Sequence, residues 1–194
     1  MRLSSRFDDA LLYAADLHRE QERKGSAAPY FCHLMIVAGT VLEHGADEDT
    51  AIAALLHDAV EDQGGGPVLE DIRRRFGDRV ASFVDACSDS APLRGEQKPP
   101  WRERKEAYLA HLPEACDEVR LISAADKLHN IRTVLADYRE LGEELWPRFK
   151  GGREATIMYL RIFADIFRSR GPRQLGEEIA KTLDELERLI VAGE

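Results

Sequence analysis

Apolar residues return every three or four positions along most of this chain, the spacing that places them on one face of an α-helix. Phe7, Leu11, Ala14, Ala15 and His18 form one such stripe. Leu34, Ile36, Val37, Val41 and Leu42 form another, which Gly45 ends. Asp47 or Asp49 is a suitable N-cap for a helix running through Ile52, Ala53, Ala54, Leu55 and Leu56 into "LLHDAVED", residues 55–62. Gly64-Gly65-Gly66-Pro67 then breaks the chain in a flexible turn. Shorter helical patterns cover Val68–Phe76, stopped by Gly77, and Val80–Cys87. Residues 88–100, with Pro92, Gly95, Pro99 and Pro100, read as a loop. Trp101–His111 resumes a helix that stops near Pro113, and Glu118–Tyr138 is a long helix. Two more, 153–170 and 173–192, are separated by Gly171-Pro172. No useful length alternates with the period of a β-strand, and no internal repeat is visible. The pattern predicts an all-α fold, a compact bundle of roughly eight to ten helices.

The acidic end of "LLHDAVED" departs from its apolar lead-in. On one continuous helix, positions i and i+4 share a face, so His57 stacks over Glu61 and Asp58 over Asp62. A solvated surface stripe is the plain reading of such a cluster. Three neighbours favour a site instead. His33 lies on the preceding helix, whose other face is apolar, although a lone histidine there is also a common core residue. Asp126 sits in "LISAADKLHN", inside the apolar part of a later helix, where an unpaired charge costs several kcal/mol or forces protonation. Asn130 and Thr133 follow it at i+4 and i+7 and extend a polar stripe on that face. Two imidazoles and two carboxylates make an N/O set for a borderline-hard divalent metal, and open positions for water and a substrate oxygen suit Mn²⁺ or Fe²⁺. A closed structural zinc site is not expected, since no cysteine is near these residues.

Composition narrows the classes. The chain has 194 residues, 44% hydrophobic and 32% charged, which fits a globular protein with one domain and a proper core. Its net charge of −9 argues against general nucleic-acid binding, while leaving room for a local basic pocket that takes an anionic small molecule. Three cysteines, Cys32, Cys87 and Cys116, are odd in number and far apart, which fits reduced thiols in a cytoplasm. The start "MRLSSRFDDALLYAADL" carries acidic residues where a signal peptide needs an apolar stretch. No apolar run approaches the ~20 residues of a membrane span. A cytoplasmic protein without membrane or nucleic-acid partners is expected.

A second polar cluster, "LHREQERKGSAAPY" (17–30), precedes His33. Read as helix, it puts Arg19 and Arg23 on one face, followed by Lys24, with Gly25 as the end. Such a charge run is commonly a solvated face. Joined to His33 by a short loop, it also places cations beside a metal, as polyphosphate binding requires.

Together, "RKGSAAPYFCH", "AALLHDAVED", "FGDRVASFV" and "ADKLHNIRT" closely resemble the hydrolase domain of RelA/SpoT-type alarmone enzymes, a branch of the HD-domain phosphohydrolases. The resemblance runs from about residue 10 to 135, and the ordered set of motifs is far more specific than His-Asp alone. It implies that His33, His57, Asp58 and Asp126 hold one Mn²⁺ per chain. Glu61 and Asp62 would be the catalytic carboxylates that handle the attacking water and the proton transfers. Arg23 and Lys24 would lie beside the substrate phosphates, and Asn130 and Thr133 would line the nucleotide pocket. The implied reaction is hydrolysis of the 3′-diphosphate of ppGpp or pppGpp to pyrophosphate and GDP or GTP.

The chain departs from the family pattern in places. Glu20 replaces the usual glycine of the "HxGQxRK" run, whose His18, Gln21, Arg23 and Lys24 are kept, and Leu34 replaces the usual proline after the first metal histidine. In length the chain matches the small stand-alone alarmone hydrolases, with no room for synthetase or regulatory domains. The segment 94–108, "RGEQKPPWRERKEAY", has no clear counterpart in the large enzymes. Its Lys98, Trp101, Arg104 and Lys105 can close over a nucleotide, with the Trp stacked on a base, or form an ordinary helix start with a charged outer face. Other readings keep the site and change the role: a phosphatase of the NADPH 2′-phosphate, of pApp or of a nucleoside monophosphate, or a silent HD-fold nucleotide sensor. The sensor reading predicts a lost ligand or a lost Glu61-Asp62, and all are present. The acidic helix "LGEEIAKTLDELERLI" reads as packing or homo-oligomer surface.

Overall fold

In the computed structural model of the chain, residues 2–92 and 96–193 are described. Arg94 and Gly95, which begin the unmatched segment, lie outside them. The described residues form ten α-helices and two 3₁₀ segments, with no strand, so the all-α expectation holds. They divide into two compact units, one up to Ile122 and one from Ser123.

The first unit holds α1 (Ser5–Leu17), α2 (Phe31–Glu43), α3 (Glu48–Leu56), α4 (Ala59–Gln63), α5 (Gly65–Phe76), α6 (Asp78–Cys87), α7 (Trp101–His111) and the start of α8 (Asp117–Leu141). Its centre is α3, where Thr50 to Leu56 are all buried. A helix apolar on every side has to be surrounded, and α1, α2 and α6 pack around it. Asp47 is its N-cap: Oδ1 accepts from the Thr50 backbone N–H at 2.9 Å and from its hydroxyl at 2.6 Å. Ile36, expected on the core stripe of α2, is instead 43% exposed, while Leu34, Val37, Ala38 and Val41 make the buried face.

Three local expectations are corrected. The helix carrying "LLHDAVED" is not continuous. It ends at Leu56, turns through His57-Asp58, and restarts as the short α4. The turn falls where Asp58 takes φ −97° and ψ −2°, the bridge region that suits a helix joint better than a helix interior. The expected Gly-Gly-Gly-Pro turn contracts to Gly64 (φ +142°), because Gly65, Gly66 and Pro67 already form the first turn of α5, where a proline's missing N–H costs nothing. Gly65 has φ +61°, and a Cβ there would meet the carbonyl oxygens of Ala91 and Pro92 at 2.6 Å. That close approach packs Ala91 and Pro92 against the start of α5.

The basic run up to Gly25, expected as helix, instead belongs to a small antiparallel hairpin over residues 21–30. Arg23 N–H donates to Ala28 O at 2.9 Å and Tyr30 N–H to Gln21 O at 2.8 Å, around an isolated bridge between Glu22 and Pro29. Gly25 at φ +77° with Ser26 and Pro29 supplies turn chemistry that outweighs helical spacing. Arg19 and Arg23 therefore do not share a helix face.

The second unit holds the rest of α8, a 3₁₀ segment Gly142–Arg148, and the helices α9 (Gly152–Arg170) and α10 (Arg173–Gly193). The last two pack as a hairpin over Phe163, Phe167, Leu175, Ile179, Leu183 and Leu186. Gly176 permits the close crossing, since a Cβ there would come within 2.8 Å of the Arg168 backbone nitrogen.

Candidate functional site

Because α3 is buried from Thr50 to Leu56, the turn at its C-terminus delivers His57 into the interior of the first unit, with Asp58 half-buried beside it. The neighbouring α2 contributes His33, 1% exposed, against the same point. One ligand atom from each of His33, His57 and Asp58 lies within 4.8 Å of the others. His57 Nε2 is 3.0 Å from Asp58 Oδ2 and His33 Nε2 is 3.6 Å from it. The two imidazole rings meet edge to face with centroids 5.3 Å apart.

The donor set fits a cation. His57 Nδ1 lies 2.8 Å from the carbonyl oxygen of Ala54, so Nδ1 carries the hydrogen and Nε2 turns its lone pair toward Asp58. Two lone pairs 3.0 Å apart repel unless a proton or a metal ion lies between them. The C-terminal end of α3, the negative end of its helix dipole, adds to the field that favours positive charge there. Burial opposes ionisation of Asp58, but positive charge on His57 and His33 outweighs it and holds the carboxyl well below its ordinary range, and a cation bound between these groups would act in the same sense. Two imidazole nitrogens and a carboxylate oxygen suit a borderline divalent metal.

Tyr30 completes the surroundings of Asp58, its hydroxyl donating to Oδ2 at 2.6 Å. Its ring stacks on His18, and the Arg23 guanidinium lies 5.6 Å from its centroid. Tyr30 was not singled out from the sequence, although its place three residues before His33 is the available signal. Lys24 is exposed on the hairpin.

One turn on, Glu61 and Asp62 project from α4 into a polar network. Gln21 Nε2 donates to Asp62 Oδ2 at 2.9 Å, and Gln63 Nε2 donates to Gln21 Oε1 at 2.5 Å. His18 Nδ1 is 2.7 Å from that same Gln21 oxygen, and burial pushes the His18 ring toward its neutral form. The kept His18 and Gln21 of the "HxGQxRK" run thus act here as supports for Asp62. On the other side, Lys98 Nζ donates to Glu61 Oε1 and to Asp62 Oδ1, each at 2.8 Å. Arg104 reaches Glu61 Oε1 at 3.4 Å and is ion-paired with Asp89, whose other oxygen takes Lys105 at 2.7 Å. Lys98, Arg104 and Lys105 therefore turn inward, and the charged-outer-face reading does not describe them. Burial, with Asp89 and Asp58 nearby, pushes the Glu61 carboxyl above its ordinary range while Lys98 pulls it back. A carboxyl raised in this way takes up and gives back a proton at higher pH than an exposed glutamate does.

In the second unit, Asp126 is 8% exposed on α8. Its carboxylate is ion-paired with Lys127, and Asn130 Nδ2 donates to Oδ1 at 2.5 Å. The buried charge is thus compensated, as its apolar surroundings demand. Thr133 gives its hydroxyl hydrogen to the carbonyl of His129 at 3.0 Å.

Comparisons with known proteins agree with this picture. Residues 10–149 match the family described as HD domain. The guanosine-3′,5′-bis(diphosphate) 3′-pyrophosphohydrolase MESH1 of Xenopus tropicalis is 36% identical over 127 residues, which are 64% of this chain and 66% of that protein. The guanosine-3′,5′-bis(diphosphate) 3′-pyrophosphohydrolase of Aquifex aeolicus is 34% identical over 124 residues, 63% of this chain but 17% of that protein. The chain thus spans just under two thirds of the first relative and a small part of the second. A solved structure described as a metazoan ortholog of SpoT that hydrolyses ppGpp superposes with a TM-score of 0.73 at 29% identity, covering 97% of both chains. With the family model matched over most of its length and the His-Asp pair at the centre of its site, the chain belongs to the HD-domain family and, within it, to the alarmone-hydrolase type.

Proposed function

We propose that the chain, acting over residues 1–194 as one HD-type hydrolase, cleaves the 3′-diphosphate of ppGpp or pppGpp and releases pyrophosphate with GDP or GTP. The observation that carries this reading is the placement of Glu61 and Asp62 directly after the His33–His57–Asp58 cluster, whose two histidines are buried. The substrate class follows that of the relatives, which are guanosine-3′,5′-bis(diphosphate) 3′-pyrophosphohydrolases.

His33, His57 and Asp58 would hold the metal; Asp126 is proposed as a further ligand only from the resemblance of its "ADKLHN" stretch to the family motif. We assign Mn²⁺, which the N/O set suits. When bound, such an ion supplies Lewis acidity toward water and a phosphoryl oxygen. In the overall step, a water oxygen bonds to the phosphorus next to O3′, the P–O3′ bond breaks, and O3′ takes up a proton. Glu61 and Asp62 orient the water, receive its proton and return one to O3′. Glu61, with its raised pKa, suits the transfer, and Asp62, fixed by Gln21, suits the orientation. By the family resemblance, Arg23 and Lys24 would neutralise phosphoryl charge, and Asn130 and Thr133 would contact the nucleotide. No described helix is long and apolar enough to cross a membrane, and the three cysteines are free thiols, which supports a reducing cytoplasm.

The test is turnover of ppGpp, pppGpp, pApp, NADPH and deoxynucleoside monophosphates with Mn²⁺, with products resolved. Pyrophosphate and GDP from ppGpp are expected. Orthophosphate from NADPH or a monophosphate, with ppGpp untouched, would replace this reading by the phosphatase one.

A further inference from the structure

The oxygens of Glu61 and Asp62 that must face water and substrate are already in contact with Lys98, whose ammonium bridges them at 2.8 Å on each side. That contact has to loosen for the carboxylates to act. The two cations around Glu61 are held very differently. The Arg104 side chain is 8% exposed, ion-paired with the nearly inaccessible Asp89, and its Nε donates to the carbonyl of Pro99 at 3.2 Å. The Lys98 side chain is 30% exposed and stands on the non-helical residues before α7. A lysine ammonium is a compact charge on a four-carbon stem and can move between partners with little backbone motion. Here the backbone behind it is fixed, by Pro99, Pro100 and the Arg104 bond to the Pro99 carbonyl. The arrangement anchors the segment and leaves the charge at its tip free to swing.

We propose that Lys98 is a substrate-binding residue with two alternating partners: Glu61 and Asp62 in the free protein, and the phosphate oxygens of the anionic substrate in the complex. This rests on the reading of the site as a polyphosphate hydrolase. Arg104 stays behind as the counter-ion of Glu61, so the carboxylate is not left alone when the lysine leaves. The exchange solves an electrostatic conflict within the site. Two carboxylates repel an incoming polyphosphate, and a lysine that moves onto the phosphate both neutralises it and uncovers the carboxylates for the reaction.

The experiment is calorimetric titration of the purified protein, its metal content measured, with inorganic pyrophosphate at fixed ionic strength. Lys98→Met should weaken pyrophosphate binding about tenfold, as expected for loss of a charge-assisted contact, and Lys98→Arg should stay within about threefold of native. The decisive comparison repeats Lys98→Met in a Glu61→Gln/Asp62→Asn background. There the lysine has no carboxylates to leave, so its removal should cost more affinity than in the native background. If Lys98→Met has no effect in that background, the lysine is a fixed clamp and the proposal falls. Absence of pyrophosphate binding to the native protein at millimolar concentration overturns it as well. Should the variants behave as expected while ppGpp is not hydrolysed, the substrate assignment fails and the exchange stands; the reverse outcome separates them equally.

Discussion

The Tyr30 hydroxyl donates to Asp58 Oδ2 at 2.6 Å, the same oxygen that both imidazoles of the cluster approach. A hydrogen bond to a ligating carboxylate fixes its orientation, and such supports are typically worth about 10–100-fold in metal affinity. Tyr30→Phe should therefore keep the fold and lower metal affinity about tenfold or more. Competition with a chelator of known affinity measures this, and unchanged affinity would make the phenol a packing group only.

Arg23→Ala and Lys24→Ala should leave metal content unchanged and lower kcat/KM for ppGpp at least about tenfold, the worth of a charge-assisted contact of ~1.5–3 kcal/mol. The hairpin places Arg23 against Tyr30 with Lys24 beside it in the open. Native kinetics in both variants would return the pair to a solvated surface role.

Asp89 predicts an acid limb of stability. Burial opposes its charge, but Lys105 and Arg104 outweigh burial and bring the carboxyl from an ordinary 3.8 down to about 2. A carboxyl depressed in the folded state stabilises it above the ordinary value and loses that contribution as pH falls through the folded value. The window runs from about pH 4 to about pH 2, and the amount is about 2 kcal/mol. Asp89→Asn should flatten this limb and, by stranding Arg104 and Lys105, destabilise the protein at neutral pH by about 3 kcal/mol. Urea unfolding across a pH series reads both effects, and an unchanged acid limb would contradict the assignment.

Much of this molecule was legible from periodicity, because long amphipathic helices carry a strong signal: Trp101–His111 has the expected bounds, and the last two helices agree within a residue or so. Legibility failed where local backbone chemistry competes with periodicity. Gly25, Ser26 and Pro29 convert the basic run into a hairpin, and the joint at His57-Asp58 hides inside an unbroken helical pattern. For the site, types and spacing pointed to His33, His57 and Asp58, which do converge. Tyr30 and Gln63 carry no signal of this kind, because a lone phenol or amide has no spacing rule. Lys98 and Arg104 were seen, yet nothing local shows that residues more than thirty positions away would meet Glu61.

The central claim is that the two halves of "LLHDAVED" do different work, His57-Asp58 holding metal and Glu61-Asp62 reacting. His57→Ala and Asp126→Ala should lose metal and activity together, since each removes a proposed ligand. Glu61→Gln and Asp62→Asn remove a negative charge and a proton site while keeping size. The most direct measurement is single-turnover release of pyrophosphate from ppGpp by Glu61→Gln and Asp62→Asn, with metal analysis on the same preparations. The account predicts native-like folding, full metal content and a rate lower by roughly 10²–10⁴, the usual worth of a positioned acid or base. Metal lost along with activity would make these carboxylates ligands, and native rates in both variants would contradict the account outright.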